Sequence, residues 1–527
     1  YTEKILRQML NMLKDIKFDS NYDIIYLNNV ASGKGSHAEG CATTASGNYS
    51  HAEGQYTCAS GDHSHAEGRG DEWGISITIA SGDGSHAEGD HTTASGNHSH
   101  AEGGQTYASG YYSHAEGSIS IASGSVCHAE GQYTCAAGGC SHAEGRNTCA
   151  SGEASHAEGR GSIAFGIGSH AEGIKTTASG LNEFSVPHTE GYCTYASDRG
   201  HAEGEGTNAS GVDSHAEGWS SKASGIGSHA EGCYTTASGQ YSHAEGRYIT
   251  ASGDYSHAEG YNTNASGEAS HAEGWYTTAS NFASHASGKY NAAMITGGDY
   301  NNTTGTAFVI GNGTSESTRS NAFSVQFNGI VKAKSTITAS TTADYAEFFE
   351  WKDGNPNNED RVGHFVTLDN DKILIATDPN QYILGIVSGR PFVLGNGDCD
   401  VWNGMYLTDD YNRYITEPAP KMELDEETGE YKQVLDEDGN PIYEGTRFKV
   451  NPDYDPSKPY VSRFDRKEWA AIGMLGVLSV DQDGTCEVNG YACCNKDGIA
   501  TKCNRTDPGA YRVIAKISDS IIKVILK

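Results

Sequence analysis

The chain has 527 residues, with 36 Lys+Arg against 68 Asp+Glu and a formal net charge of −32. So acidic a surface is poorly suited to displacing counterions from nucleic acid or to docking on an anionic membrane, and no apolar run reaches the ~18 residues of a helical membrane span. Glycine is abundant at 67 and proline scarce at 11, which argues against both collagen and generic disorder.

Glu3 to Lys17 carries Ile5, Leu6, Met9, Leu10, Met12, Leu13 and Ile16 at three- and four-residue spacing. That stripe predicts a short helix, too short to stand alone, and residues 1–30 read as a helical collar or adaptor. No segment has the layout of a signal peptide. The sequence begins at Tyr1, which leaves open what lies upstream.

From about residue 31 to 288 one motif dominates. Ser36-His37-Ala38-Glu39-Gly40 recurs, with its histidine at 37, 51, 65, 86, 100, 114 and onward to 285. Most intervals are 14; one of 21 carries extra residues around Trp73, and one of 18 carries extra residues around Phe184. The unit reads S-H-A-E-G-x-x-T-x-A-S-G-x-x. Two alternating segments, each closed by glycine, predict two short strands and two tight corners, one coil of a narrow β-solenoid. About eighteen coils at the ~4.8 Å strand spacing give a rod of roughly 85 Å. Period 2 puts His and Glu on one face and Ser and Ala on the other, with Thr and Ala sharing a face in the second strand. Such a coil buries little apolar area, so self-association is expected, and a homotrimer is the natural closed arrangement for a fibre.

The unit resembles the head repeat of trimeric autotransporter adhesins. The resemblance implies a left-handed parallel β-roll that trimerises. It departs in placing His and Glu where that family has apolar residues.

The His-Glu column, exemplified by His37, Glu39, His51, Glu53, His243 and Glu245, reads first as a structural ladder inside the roll or along the trimer seam. A rival reading is zinc or iron bound by imidazole and carboxylate; because the pattern is uniform rather than local, no metal and no cofactor are expected. A charged His–Glu pair predicts a rod whose stability depends on pH. Aromatics recur in the spacers: Tyr56, Tyr133, Tyr234, Tyr248 and Tyr276 in one column, and Trp219, Tyr261 and Trp275 one position earlier. They read as a stacking ladder, with glycan binding as the alternative. Trp73, Phe184, Trp219 and Trp275 are the candidate receptor contacts. The thirteen cysteines have neither metal-ligand nor disulfide spacing and read as mostly free thiols.

Residues 289–335 are Asn-, Thr- and Gly-rich and alternate cleanly at Asn321 to Val331, which predicts a β-rich neck. From 336 to 527 glycine thins, and Tyr382–Val387 and Ile472–Val477 read as buried strands. Tyr511–Leu526 reads as two more, and Glu417–Lys458 as an acidic, turn-rich excursion.

Ala343-Asp344-Tyr345-Ala346-Glu347-Phe348-Phe349-Glu350-Trp351, followed by Asp360-Arg361-Val362-Gly363, is the most specific signal in the chain. With Leu384-Gly385-Ile386-Val387-Ser388, Glu468-Trp469, Gly473 to Gly476 and Tyr511-Arg512-Val513, it resembles the C-terminal intramolecular-chaperone domain of phage pre-neck appendage (tail spike) proteins, the self-cleaving glutamic peptidase type. The resemblance implies a single cut at the Ala343–Asp344 bond. Glu347 would serve as general acid or base, and Asp344 would position or attack. The two carboxylates would titrate as a pair, and Glu347 of one chain could serve the bond of its neighbour. Ser340, Thr341 and Thr342 are the rival hydroxyl nucleophiles. The structural alternative is a solvated strand edge. The Ser/Lys motif of another fibre-chaperone family is absent.

The leading functional reading is a trimeric phage or prophage tail fibre or spike for host attachment, matured by autoproteolysis. Its partners would be its own copies, the phage tail or baseplate through the N-terminus, and a host surface receptor such as a glycan. It would sit in the virion after assembly in the bacterial cytoplasm. A bacterial surface adhesin is the first alternative; it expects a signal peptide and C-terminal membrane strands that this sequence lacks. A glycan-degrading tailspike is the second, and it expects a carboxylate cleft that the uniform Glu column does not offer.

Overall fold

The computed structural model describes residues 16–18, 24–26, 28–71, 77–180, 185–295, 305–338, 343–397, 404–424 and 431–527. These residues are almost wholly β, with two single-turn 3-10 helices at Glu316–Thr318 and Arg463–Asp465. Among them no helix is long and apolar enough to cross a membrane. The chain forms two compact units, Tyr1–Lys334 and Ser335–Lys527.

The predicted N-terminal helix falls mostly outside the described residues, and its end is corrected. Ile16–Phe18 is a strand paired antiparallel with Ile24–Tyr26. Ile16 and Phe18 alternate about Lys17, so period 2 overrides the helical stripe there.

The first unit is the solenoid. Five-residue strands such as His51–Gln55 and His128–Gln132 stack parallel and in register, His on His, Ala on Ala, Glu on Glu and Gly on Gly. A second parallel sheet is built from the short strands, such as Thr44–Ala45 and Cys135–Ala136. The interior is made of small side chains: Ala52, Ala59, Ala129 and Ala136 are fully buried, and Ser50, Thr57 and Thr134 nearly so. His and Glu point outward and remain about a third exposed, so the placement of this ladder inside the roll is excluded. The narrow coil is filled mostly by Ala, Ser and Thr, with Cys127 and Ile249 as larger exceptions, and the long His and Glu side chains take the outer face.

Most serines that precede the repeat histidine close a corner, as Ser50 Oγ donates to Gly47 O at 2.7 Å. Where Cys127 replaces serine its Sγ does the same to Gly124 O. The two glycine columns are needed for different reasons. Gly131 lies at φ +117°, and a Cβ there would sit 2.1 Å from Gly145 O; Gly124 has ordinary φ, but its Cβ would sit 2.0 Å from Gly138 O. The left-handed residue of each corner is a spacer: Tyr56 (φ 55°) and His63 (φ 56°) are typical. Their amides donate to the preceding coil, Tyr56 N to Cys41 O at 2.8 Å and His63 N to Asn48 O at 2.7 Å. The irregular intervals leave the stack intact, since His65 pairs with His86 and His188 with His201.

The neck strand Thr306–Asn312 continues the stack parallel to His285–Lys289, with Phe308 opposite His285. It then turns the sheet antiparallel through Asn321–Gln326 and Val331–Ala333. The two antiparallel strands end the parallel ladder.

The second unit is built on the long strand Trp469–Asp481, which pairs antiparallel with Ala343–Glu350, Gly385–Val387 and Ile521–Leu526. Phe365, Ile386, Val480, Val513, Ile522 and Val524 form its main core at 0% exposure. The acidic excursion contains two small antiparallel pairs, Thr416–Pro420 with Tyr443–Phe448 and Met422–Leu424 with Tyr431–Gln433.

Candidate functional site: a buried aspartate at the head of a central strand

Ala343–Glu350 is not a solvated edge. Its other side pairs parallel with Val393–Gly395, so it runs between two strands. Alternation buries Asp344, Ala346 and Phe348 at 4%, 0% and 3% exposure and leaves Tyr345 and Glu347 half-buried on the opposite face. The side chains of Asp344 and Glu347 therefore do not share a site within one chain, which corrects the expectation of a closely held pair. The cause is the three-residue separation on a strand of period 2.

The Asp344 carboxylate accepts a hydrogen bond from Ser388 Oγ at 2.6 Å, and its backbone carbonyl accepts one from Phe392 N at 3.1 Å. It borders a cavity of about 490 Å³ shared with Ser388, Arg390, Ser479 and Lys523. Two cationic side chains thus line the hollow into which the carboxylate of the expected cleavage residue opens. Gly473 makes room for it, since a Cβ there would meet Leu478 Cδ2 at 2.1 Å and Asp344 Oδ2 at 3.2 Å.

On the other face, Tyr345 Oη donates to Glu347 Oε1. That carboxylate holds the Tyr345 phenol above its usual range. Gly395 lies flat beneath both, and a Cβ there would come within 2.9 Å of Glu347 Cγ and of Tyr345 Oη. The strand is anchored from its far end. Asn396 Nδ2 donates to Phe348 O at 2.8 Å, and the buried Arg463 donates to Asn396 Oδ1 at 2.8 Å while its guanidinium lies 4.1 Å from the Trp469 ring centroid. The Asp360–Gly363 motif serves a neighbouring loop, where Arg361 pairs with Asp353 and Glu359 and covers Trp351.

Ser340, Thr341 and Thr342 lie outside the described residues, as do Trp73 and Phe184. Sequence reasoning named Ser388 only as part of a motif and missed Arg390, Ser479 and Lys523, which arrive from strands and loops far away in the chain.

Along the rod, the histidines form a continuous column of imidazoles. Successive rings such as His86 and His100 or His215 and His229 are 4.7 Å apart and within 2° of parallel. In part of the column this stacking works against the charged-pair expectation. Burial first, and then the neighbouring imidazoles, hold His65, His100, His128, His156 and His229 below their ordinary value, outweighing the carboxylates that pull the other way. The glutamates crowd one another likewise: hydrogen bonding to Glu53 and burial push Glu67 up to about 7. The aromatic spacers also stack, with Tyr234 on Tyr248 at 5.4 Å and Tyr261 on Trp275 at 4.1 Å. Trp219 and Trp275 remain 46% and 47% exposed.

Residues 292–520 match the family model described as Peptidase_G2, IMC autoproteolytic cleavage domain. The match covers the resemblance carried by Ala343–Trp351 and also takes in most of the neck. The chain is similar to the pre-neck appendage protein of Bacillus phage B103, with 34% identity over 175 residues, 33% of this chain and 18% of that protein. It is similar to the pre-neck appendage protein of Bacillus phage phi29 at 33% identity over 179 residues, again 33% of this chain and 18% of that protein. A crystal structure of a C-terminal fragment of phi29 gene product 12 aligns at 26% identity and a TM-score of 0.25, covering 35% of this chain and all of the fragment. The chain thus spans about a fifth of the length of the curated relatives it matches.

Proposed function

We propose that this chain belongs to a trimeric phage or prophage tail appendage that cuts itself once, between Ala343 and Asp344, during maturation. The buried Asp344, hydrogen-bonded to Ser388 beside a cavity lined by Arg390 and Lys523, is the observation that carries the reading. A peptide bond entering a central strand at such a residue is held rigidly, as single-turnover chemistry requires. In the cut, water adds to the Ala343 carbonyl carbon, the C–N bond breaks, and the amino group freed on Asp344 takes up a proton. A carboxylate accepts the proton of the attacking water and returns it to the leaving amine. Because Glu347 faces away from Asp344 in its own chain, the Glu347 that serves this bond comes from a neighbouring copy, which ties cleavage to assembly. The N-terminal side joins the phage tail or neck, and the rod presents its exposed spacers, Trp219 and Trp275 among them, to a host receptor.

Intact mass under denaturing conditions, with native mass alongside, tests this on the parent and on Glu347→Ala. The expected result is a fragment of residues 344–527 beside its N-terminal complement in the parent, an uncut variant, and a native trimer. An uncut parent would reduce Asp344 and Glu347 to structural residues and make the second unit a permanent tip.

A further inference from the structure

On the outer face of the rod the imidazole Nε2 of His51, His86 and His229 lies within 4 Å of two carboxylates, and that of other coils, such as His100 and His114, within 4 Å of one. His86 Nε2 is 3.5 Å from Glu67 Oε1 of the preceding coil and 3.6 Å from Glu88 Oε2 of its own. His229 stands 3.8 Å from Glu217 Oε1 and 3.7 Å from Glu231 Oε2, and His51 3.9 Å from Glu39 Oε1 and 3.8 Å from Glu53 Oε2. None of these Nε2 atoms has a hydrogen-bond partner, and each is closed off from solvent. The separations exceed ordinary N–H···O bonds. They lie close to the donor–donor edge of about 3.4 Å that a tetrahedral ion with ~2.0–2.1 Å bonds sets between its ligands. Two neighbouring imidazoles cannot converge on one ion, because their planes are parallel and 4.7–4.9 Å apart. The Nε2 of His51, His86 and His229 instead sits between the carboxylates of two successive coils. The glutamates of successive coils are within hydrogen-bonding reach of one another, as Glu67 is of Glu53 and Glu88. A cation placed in that gap relieves their crowding.

We propose that the His–Glu face of the rod is a linear array of sites for divalent transition-metal cations of the zinc class. Each ion is held by one imidazole Nε2 and the carboxylates of its own and the preceding coil, with water completing the shell. Imidazole combined with carboxylate favours this class over calcium or magnesium, which take all-oxygen shells. The approach of Nε2 to its own coil's glutamate recurs along the rod at His86, His100, His114 and His128, at 3.6–3.9 Å. Neighbouring sites share a carboxylate, and two dications ~4.8 Å apart repel strongly, so filling stops at about every second coil. The side chains as a whole are about a third exposed, so an ion reaches the closed-off Nε2 from the carboxylate side.

The test uses the full chain with zinc alone, measured by equilibrium dialysis and elemental analysis. The parent is compared with a triple variant, Glu102→Gln, Glu116→Gln and Glu130→Gln, which keeps side-chain shape and the imidazole stack. A second variant, His100→Gln, His114→Gln and His128→Gln, removes the nitrogens. The parent is expected to bind several ions per chain and each variant to lose about two, following alternate-coil filling. Cobalt(II) in place of zinc is expected to give d–d absorption of a nitrogen–oxygen shell without thiolate charge transfer. Equal zinc uptake by parent and variants, thiolate bands with cobalt, or no zinc retained at micromolar free concentration would each overturn the proposal.

Discussion

Asp344 and Glu347, three residues apart on one strand, present their carboxylates to opposite faces: Asp344 is 4% exposed and bonded to Ser388, while Glu347 accepts from Tyr345. Under the proposed cut this geometry requires two chains. Co-assembling tagged Asp344→Ala and Glu347→Ala chains is therefore expected to restore cleavage, and only in the Glu347→Ala chain, which keeps its own Asp344. Neither variant cuts alone. Cleavage of Glu347→Ala chains assembled with one another would remove Glu347 from the chemistry altogether.

Ser388 supplies the hydroxyl bonded to the buried Asp344 side chain. Ser388→Ala leaves that carboxyl short of a donor at a cost of about 1–3 kcal/mol. The variant is expected to slow cleavage at least tenfold and to lower the melting temperature of the second unit, with Ser388→Thr recovering part of both. Time-resolved gel analysis beside thermal denaturation separates the two effects. Unchanged cleavage with lowered stability would leave Ser388 a purely structural role.

The two glycines Gly131 and Gly104 make a matched pair within the rod. A Cβ at Gly131 meets the Gly145 carbonyl at 2.1 Å with φ at +117°, whereas Gly104 has open space around it. Gly131→Ala is expected to destabilise the solenoid by several kcal/mol, combining overpacking with backbone strain. Gly104→Ala should fall within ~0.5 kcal/mol of the parent, as surface changes do. Denaturant melts of the two variants measure the difference, and equal effects would mean that the coils are spaced more widely than described.

The coil was legible because His37, His51 and His65 recur at a period no helix could satisfy and each unit closes on glycine. What one coil cannot display is its neighbour. The parallel stacking of His86 on His100, and the mutual crowding of Glu67 and Glu88, exist only between coils, so a reading of one His–Glu pair left out the neighbours that oppose its charging. The left-handed conformation of Tyr56 was equally hidden, since nothing about tyrosine favours positive φ. In the second unit the opposite facing of Asp344 and Glu347 follows from period 2 and could have been read. The company that Asp344 keeps could not. Ser388 is 44 residues away, and Lys523 arrives through the pairing of Ile521–Leu526 with Trp469–Asp481, a matter of sheet order rather than of local pattern.

Acid should loosen the rod in chelator-treated, metal-free buffer. His65, His100, His128, His156, His229, His257 and His271 are held below their ordinary value, by burial first and by flanking imidazoles next, with the adjacent glutamates opposing. A base whose folded value is depressed binds protons more readily when unfolded, so its stability is lost as pH falls through about 6.5. Glu67 and Glu217, raised to about 7, and Glu116 and Glu158, also raised, act in the other direction. They take up protons in the folded rod first and add stability as pH falls from 7 toward the ordinary carboxylate value. The seven depressed imidazoles outnumber these four raised carboxylates, so the melting temperature is expected to fall between pH 7 and 5. It should fall more steeply in the triple Glu→Gln variant at 102, 116 and 130, which removes the carboxylates that help to accommodate His⁺. Thermal melts across that range decide the matter: a melting temperature that rises toward pH 5 would mean that the imidazoles charge in place and that the His–Glu column is a row of ion pairs after all.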